Sequence, residues 1–181
     1  MEGAFAWLSD LIGWFGKFFP NYRIVRATHG AIKFIRGKVV HCPPGFYLYW
    51  PVTTEWDSYP IARQAVVLRP QTLTTSDQKT IVIGCVLSYR VVDVVSVLTK
   101  MFSADETIEE ISLGIANRVV ASKTWQQLQE AHRSGALDAE LKRAARKALR
   151  QYGVSILSAS ITDLAPCKVL KLMTGAKGLQ L

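Results

Sequence analysis

A twelve-residue stretch, residues 80–91, alternates between two kinds of side chain and constrains the fold more than any other part of the sequence. Every second position is apolar: Ile81, Ile83, Cys85, Leu87, Tyr89 and Val91. This period of two predicts a β-strand with one strongly buried face. Residues 61–69 are its predicted partner, across a loop that contains residues 74–77. The chain must therefore fold around a sheet that is covered on one side.

Turn residues and short apolar runs predict further strands between residues 22 and 60. Gly37-Lys38 fits a tight turn, and Pro43-Pro44-Gly45 is a strong turn signal before the run Phe46–Pro51. This run begins an aromatic cluster that consists of Phe46, Tyr47, Tyr49, Trp50 and Trp56. Two interpretations of the cluster stay open: a contact with the membrane interface, or the core of a hairpin.

The apolar spacing becomes helical after Asp93. Ser103 and Glu106 form the pattern of a capping box, and isoleucines follow at helical spacing. Helices are predicted to start at Ser103, over residues 124–132 and over 136–152, and a last strand over 154–164. Strands, then helices, then one returning strand predict an α+β domain with a mixed β-sheet.

Residues 4–19 form an apolar segment that stands apart from the rest of the chain. Eleven of these sixteen positions are apolar, and they include four of the chain's seven phenylalanines. A helix of this length spans roughly 24 Å, less than the roughly 30 Å of a hydrocarbon core. Its broad aromatic face predicts a short amphipathic helix in the membrane interface. The expected contacts are Phe5, Trp7, Leu8, Leu11, Ile12, Trp14, Phe15, Phe18 and Phe19.

The apolar segment has alternative interpretations besides a helix in the membrane interface. A signal peptide is disfavoured because the chain opens with Glu2 rather than basic residues. A re-entrant wedge that turns at Gly13 or Gly16 stays open, as does packing on the protein's own core or on a neighbouring subunit. We favour membrane contact over packing because so many aromatic residues gather outside the body of the domain.

Charge is distributed unevenly along the chain. The sequence holds 22 basic and 14 acidic residues, for a net charge of +8, and there is no Asp or Glu between Leu11 and Thr54. Basic residues directly after a membrane segment favour the cytoplasmic face and attract anionic headgroups. The residues expected to bind headgroups are Lys17, Arg23 and Arg26.

A second basic group lies on the outward face of the predicted helix over 136–152. Its members are Lys142, Arg143, Arg146, Lys147 and Arg150. Two interpretations stay open: an ordinary solvated helix face, or a subunit interface in which these residues face an acidic patch on the next subunit. Nucleic-acid binding is the less favoured alternative because no exposed aromatics or recognition-helix motif accompany the charges.

No catalytic, cofactor-binding or metal-binding residue is predicted. The glycine spacing around Gly37-Lys38 does not match a phosphate-binding loop, and the three histidines lack metal-ligand spacing. The three cysteines are widely separated, which disfavours a disulfide framework or a zinc cluster. Cys42 and Cys167 stay open as lipidation sites.

Four stretches in a fixed order resemble the SPFH or band 7 domain of stomatins, prohibitins, flotillins and HflK/HflC. They are residues 30–38, residues 44–51, residues 73–91 and residues 152–166, which ends in Ile161-Thr-Asp-Leu-Ala-Pro166. The resemblance divides the chain into a membrane segment (1–20), an SPFH-like domain (21–166) and a short basic and apolar tail (167–181).

The resemblance implies a non-enzymatic scaffold without a cofactor, attached to a membrane. Such a protein oligomerises with itself or with a related SPFH subunit, organises a membrane patch, and restrains partners such as a membrane-bound protease or a channel. Family members usually continue into a long coiled coil, whereas 15 residues without heptads follow Pro166 here. Lateral association is therefore expected rather than a walled cage. The alternative is a subunit of a larger assembly whose N-terminal helix docks on a neighbouring subunit instead of lipid.

Overall fold

A computed structural model of the chain describes residues 20–167. The predicted membrane helix, its nine apolar contacts and Lys17 lie outside these described residues, as does all but the first residue of the C-terminal tail.

The described part folds as eight strands and four α-helices. The strands are β1 (Asn21–Val25), β2 (His29–Ile35), β3 (Lys38–Cys42), β4 (Gly45–Tyr49), β5 (Thr54–Pro60), β6 (Gln64–Thr74), β7 (Thr80–Val91) and β8 (Val154–Pro166). The helices are α1 (Val94–Lys100), α2 (Ala104–Ala121), α3 (Trp125–Arg133) and α4 (Ala136–Leu149), and a 3₁₀ turn (Arg150–Tyr152) follows α4. The predicted α+β class is confirmed.

The strands form three antiparallel sheets instead of the mixed sheet that the sequence predicted. Their orders are β1-β4, β3-β2-β5 and β6-β7-β8. β8 runs antiparallel to β7 because the helices leave and re-enter the third sheet at the same end, where Val91 pairs with Val154. The amides of Val92 and Asp93 close this end by donating to the carbonyl of Gly153.

The main core lies between the third sheet and the helices. The six alternating apolar residues of β7 are all buried, as their period of two predicted. α4 meets them with Leu137, Leu141, Ala145 and Leu149. Gly153 follows the 3₁₀ turn in the left-handed conformation at φ +80°, which confirms its predicted role as the helix stop.

Three local expectations need correction. α1 was not predicted because its valines favour strands, yet the Asp93 side chain caps it by accepting from the Ser96 amide. Ser103 occupies the N-cap of α2 without a side-chain capping bond, and the capping box forms instead between Thr124 and Gln127 at the start of α3. The tight turn lies at Arg36-Gly37, since Lys38 already pairs with Ile35.

Candidate membrane and subunit interfaces

The two-stranded sheet of β1 and β4 carries apolar side chains on its outer face. Tyr22 pairs with Leu48 and Ile24 pairs with Phe46, so all four side chains lie on the same side of the ribbon. Each of them is 62–68% exposed. The rings of Tyr22 and Phe46 stack with centroids 5.8 Å apart. We call these four residues the apolar ribbon face, and a contiguous exposed patch of this kind marks a contact surface.

The opposite side of the ribbon covers a small core of its own. Tyr47 and Trp56 pack against the buried residues Val25, Ala31 and Cys42. The Tyr47 hydroxyl donates to the carbonyl of Pro43 at 2.7 Å, which fixes the ring over the turn. The aromatic cluster noted in the sequence is therefore divided: Tyr47 and Trp56 belong to a hairpin core, whereas Phe46 and Trp50 are exposed.

Two of the predicted headgroup-binding residues belong to β1 and to the turn that follows it. Arg23 alternates with Tyr22 and Ile24 along β1, and Arg26 follows the strand. Both line a small cleft of about 180 Å³ together with His29 and Ser58. Within residues 20–167, neither arginine forms an ion pair. Arg23 projects from the side opposite to the apolar ribbon face, because it pairs with Tyr47, so its charge lies at the ribbon but not on that face.

Basic residues at the end of α4 and in the 3₁₀ turn after it border a second cleft, which is larger than the one beside Arg23. Arg146 and Arg150 line it together with Val92, Asp93 and Gly153, and its volume is about 530 Å³. Arg143 and Lys147 extend the positive charge along the helix. These side chains project outward because the leucines and Ala145 at every fourth position face the core. Four of the five predicted basic residues are exposed, and Lys142 is half-buried. We call the cleft that Arg146 and Arg150 line the basic cleft.

Comparison with known families now identifies the domain. The family described as "SPFH domain / Band 7 family" matches residues 20–174. The chain belongs to this family. No curated protein matches it. Proteins of the SPFH family are generally membrane-associated, self-assembling scaffolds without enzymatic activity. Among the described residues of this SPFH chain, no helix is long and apolar enough to cross a membrane.

The SPFH stretch at residues 73–77 has a structural role in this protein. Asp77 accepts hydrogen bonds from the Thr75 hydroxyl at 2.5 Å and from the Trp125 amide at 3.1 Å. Lys79 lies 3.3 Å from the same carboxylate. The bond from Thr75 is the main reason that the pKa of Asp77 lies below its usual value. The carboxylate thus ties the β6–β7 loop to the first turn of α3.

A partly buried polar junction joins the second and third sheets of the SPFH domain. Tyr59 in β5 donates its hydroxyl to Asp105 in α2, and the Tyr89 hydroxyl lies 3.2 Å from the same carboxylate. Tyr89 also donates to Gln64 at 3.2 Å. Burial, and then the bond to Asp105, raise the pKa of Tyr59, so its hydroxyl stays protonated. The sequence does not indicate this junction, because the residues that its hydrogen bonds join are 16–46 positions apart.

The cysteines of the SPFH domain differ in accessibility. Cys42 is 1% exposed, so its thiol is shielded in the folded domain, and this burial disfavours lipidation there. Burial also raises the pKa of the Cys85 thiol to about 11. Cys167 is partly exposed. Within residues 20–167, no three His, Cys, Asp or Glu side chains lie close enough to hold a metal ion.

Proposed function

We propose that this SPFH protein is a non-enzymatic scaffold held on the cytoplasmic face of a membrane, where it associates laterally with other copies or with a related SPFH subunit. Residues 4–19 insert shallowly, and Lys17, Arg23 and Arg26 bind anionic headgroups. A membrane-bound protease or channel is the proposed class of restrained partner.

The apolar ribbon face is the observation that carries this proposal. It begins at Tyr22, only three positions after the apolar segment that ends at Phe19. Four large side chains held in water at this point are costly unless another surface covers them. A bilayer that receives residues 4–19 would also reach the ribbon, and its anionic headgroups would attract the positive charge of this region.

The alternative is a soluble assembly in which residues 4–19 dock on a neighbouring subunit. The same apolar ribbon face supports it, because a second protein surface would cover the ribbon equally well. The two functions differ in their response to lipid: a bilayer contact requires vesicles, and a subunit contact forms without them.

Substitution of the ribbon tests the proposal. Phe46→Ser combined with Leu48→Ser should weaken binding of the full chain to anionic vesicles by about 30-fold or more, because each half-buried apolar side chain contributes about 1 kcal/mol. Both side chains are more than 60% exposed, so the domain should still fold. The measurement is a co-sedimentation titration against vesicles of mixed neutral and anionic lipid.

A matched control uses exposed valines elsewhere on the domain. Val40→Ser combined with Val67→Ser removes two exposed apolar side chains that lie outside the apolar ribbon face. This control should bind vesicles like the unaltered chain. Equal binding by the ribbon variant and the control variant would contradict a membrane contact at the ribbon.

A further inference from the structure

We propose that copies of the chain join head to tail, with Phe102 and the acidic start of α2 on one copy docked in the basic cleft of the next. This inference rests on the self-association in the proposed function and names the surfaces that perform it. It goes beyond the basic residues of α4 by identifying the surface that they bind.

One side of the contact is an acidic knob, which we define as Phe102, Glu106 and Glu110. Phe102 lies just before α2 and is fully exposed. Glu106 and Glu110 are exposed, lie one helical turn apart and form no ion pair within residues 20–167. The other two acidic residues of this region are already engaged: Asp105 by tyrosines, and Glu109 by Arg69 at 2.8 Å.

The basic cleft complements this knob in size and in the charge of its two arginines, and the one carboxylate in its lining, Asp93, is engaged in capping α1. Its volume of about 530 Å³ is large enough for an aromatic ring, and Val92 and Val154 supply apolar wall. Arg146 and Arg150 can stack on the ring as well as pair with carboxylates. An aromatic anchor surrounded by opposite charges is the usual composition of an interface hot spot.

The two surfaces belong to different helices that also pack on each other over the third sheet. α2 packs against β6, and α4 packs against β8, while β7 separates these two strands. Two anchors hold this arrangement: Arg69 on β6 binds Glu109 of α2, and Asp138 of α4 accepts from the Ile161 amide of β8 at 3.2 Å. Each copy therefore carries an acidic surface and a separate basic surface, and contacts between unlike surfaces of successive copies generate rings or open arcs.

The helices, rather than the sheet edges, are expected to form this contact. Pro70 lies within β6, and the pairing with β7 is interrupted between Leu68 and Gln71. Proline removes a backbone donor and a bulge twists the edge, so both features oppose strand addition at β6. We therefore place the contact on the acidic knob and the basic cleft, whose charges are opposite, rather than on the β6 edge.

Charge reversal tests the pairing in the full chain held in nonionic detergent micelles. Glu106→Lys with Glu110→Lys should raise the dissociation constant of self-association at least about tenfold, and Arg146→Glu with Arg150→Glu should do the same. An equimolar mixture of the two variants should associate again, because the reversed knob of one fits the reversed cleft of the other. Particle mass by sedimentation velocity is the measurement.

Matched controls separate this contact from general charge effects. Glu55→Lys with Glu130→Lys makes the same change of charge at exposed positions outside the acidic knob and should leave particle mass unchanged. Phe102→Ser should weaken association without any change of charge.

The possible results distinguish failure of the proposed self-association from failure of the contact between acidic knob and basic cleft. A wild-type chain that stays monomeric at all concentrations overturns both the proposed self-association and this inference. Association that survives either reversal overturns the inference alone, as does a mixture that fails to recover. Loss of oligonucleotide or vesicle binding by the Arg146→Glu/Arg150→Glu variant, with its particle mass unchanged, would assign the basic cleft to that anion instead.

Discussion

The chain lacking residues 1–19 should bind anionic vesicles at least about 100-fold more weakly than the full chain. The deletion removes the nine apolar side chains that we expect in the membrane interface, and each contributes about 1 kcal/mol when half-buried, before the cost of ordering the segment. Residual binding should remain because the apolar ribbon face and Arg23 are retained. A vesicle titration at about 0.15 M salt, where weak surface attraction is screened, gives the ratio.

Particle mass distinguishes the two roles of this segment. The truncated chain keeps the described residues 20–167 and should keep its far-ultraviolet circular dichroism. If it binds vesicles like the full chain but loses particle mass in lipid-free buffer, then residues 1–19 dock on a neighbouring subunit. That result would contradict the membrane role and favour the soluble assembly.

Gly153→Ala should lower the free energy of unfolding by about 3 kcal/mol or more, the largest stability effect that we expect from a single methyl group. Gly153 has φ +80°, which costs about 1–2 kcal/mol for an L side chain. An added Cβ would also lie 2.4 Å from the carbonyl oxygen of Asp93. This neighbour is backbone, and it is held in place by the amides of Val92 and Asp93 on the Gly153 carbonyl.

Gly114 offers a matched control in the same domain. It lies within α2, and an added Cβ would meet no atom within 4 Å. Gly114→Ala should therefore raise stability by about 0.5–1 kcal/mol, since alanine is the better helix former. Denaturant unfolding followed by circular dichroism compares the two variants. Equal stability of Gly153→Ala and the unaltered chain would show that the junction between β7 and β8 tolerates strain.

Periodicity predicted the elements whose environment is uniform along their length. β7 is buried on one face from Ile81 to Val91, so a period of two is sufficient to identify it. α4 was equally clear because its buried residues recur at every fourth position. The outward direction of its basic side chains followed from that spacing alone.

Helix α1, which the sequence does not predict, depends on tertiary packing as well as on its local cap. α1 consists largely of residues that favour strands, and it is helical because Asp93 caps it and Val94 and Val97 are buried in the core. Tertiary packing overrides propensity in such a short segment. The alternation of Tyr22 and Ile24 predicts a strand, and nothing in it indicates that this face would be exposed.

Counting subunits on a supported bilayer tests the membrane scaffold most directly. The full chain can be labelled at Cys167, which is partly exposed while Cys42 and Cys85 are buried. We expect fluorescent spots on anionic bilayers that bleach in several steps, because the proposed function requires lateral association at the membrane surface. An absence of bound protein, or spots that bleach in one step only, would contradict a self-associating membrane scaffold.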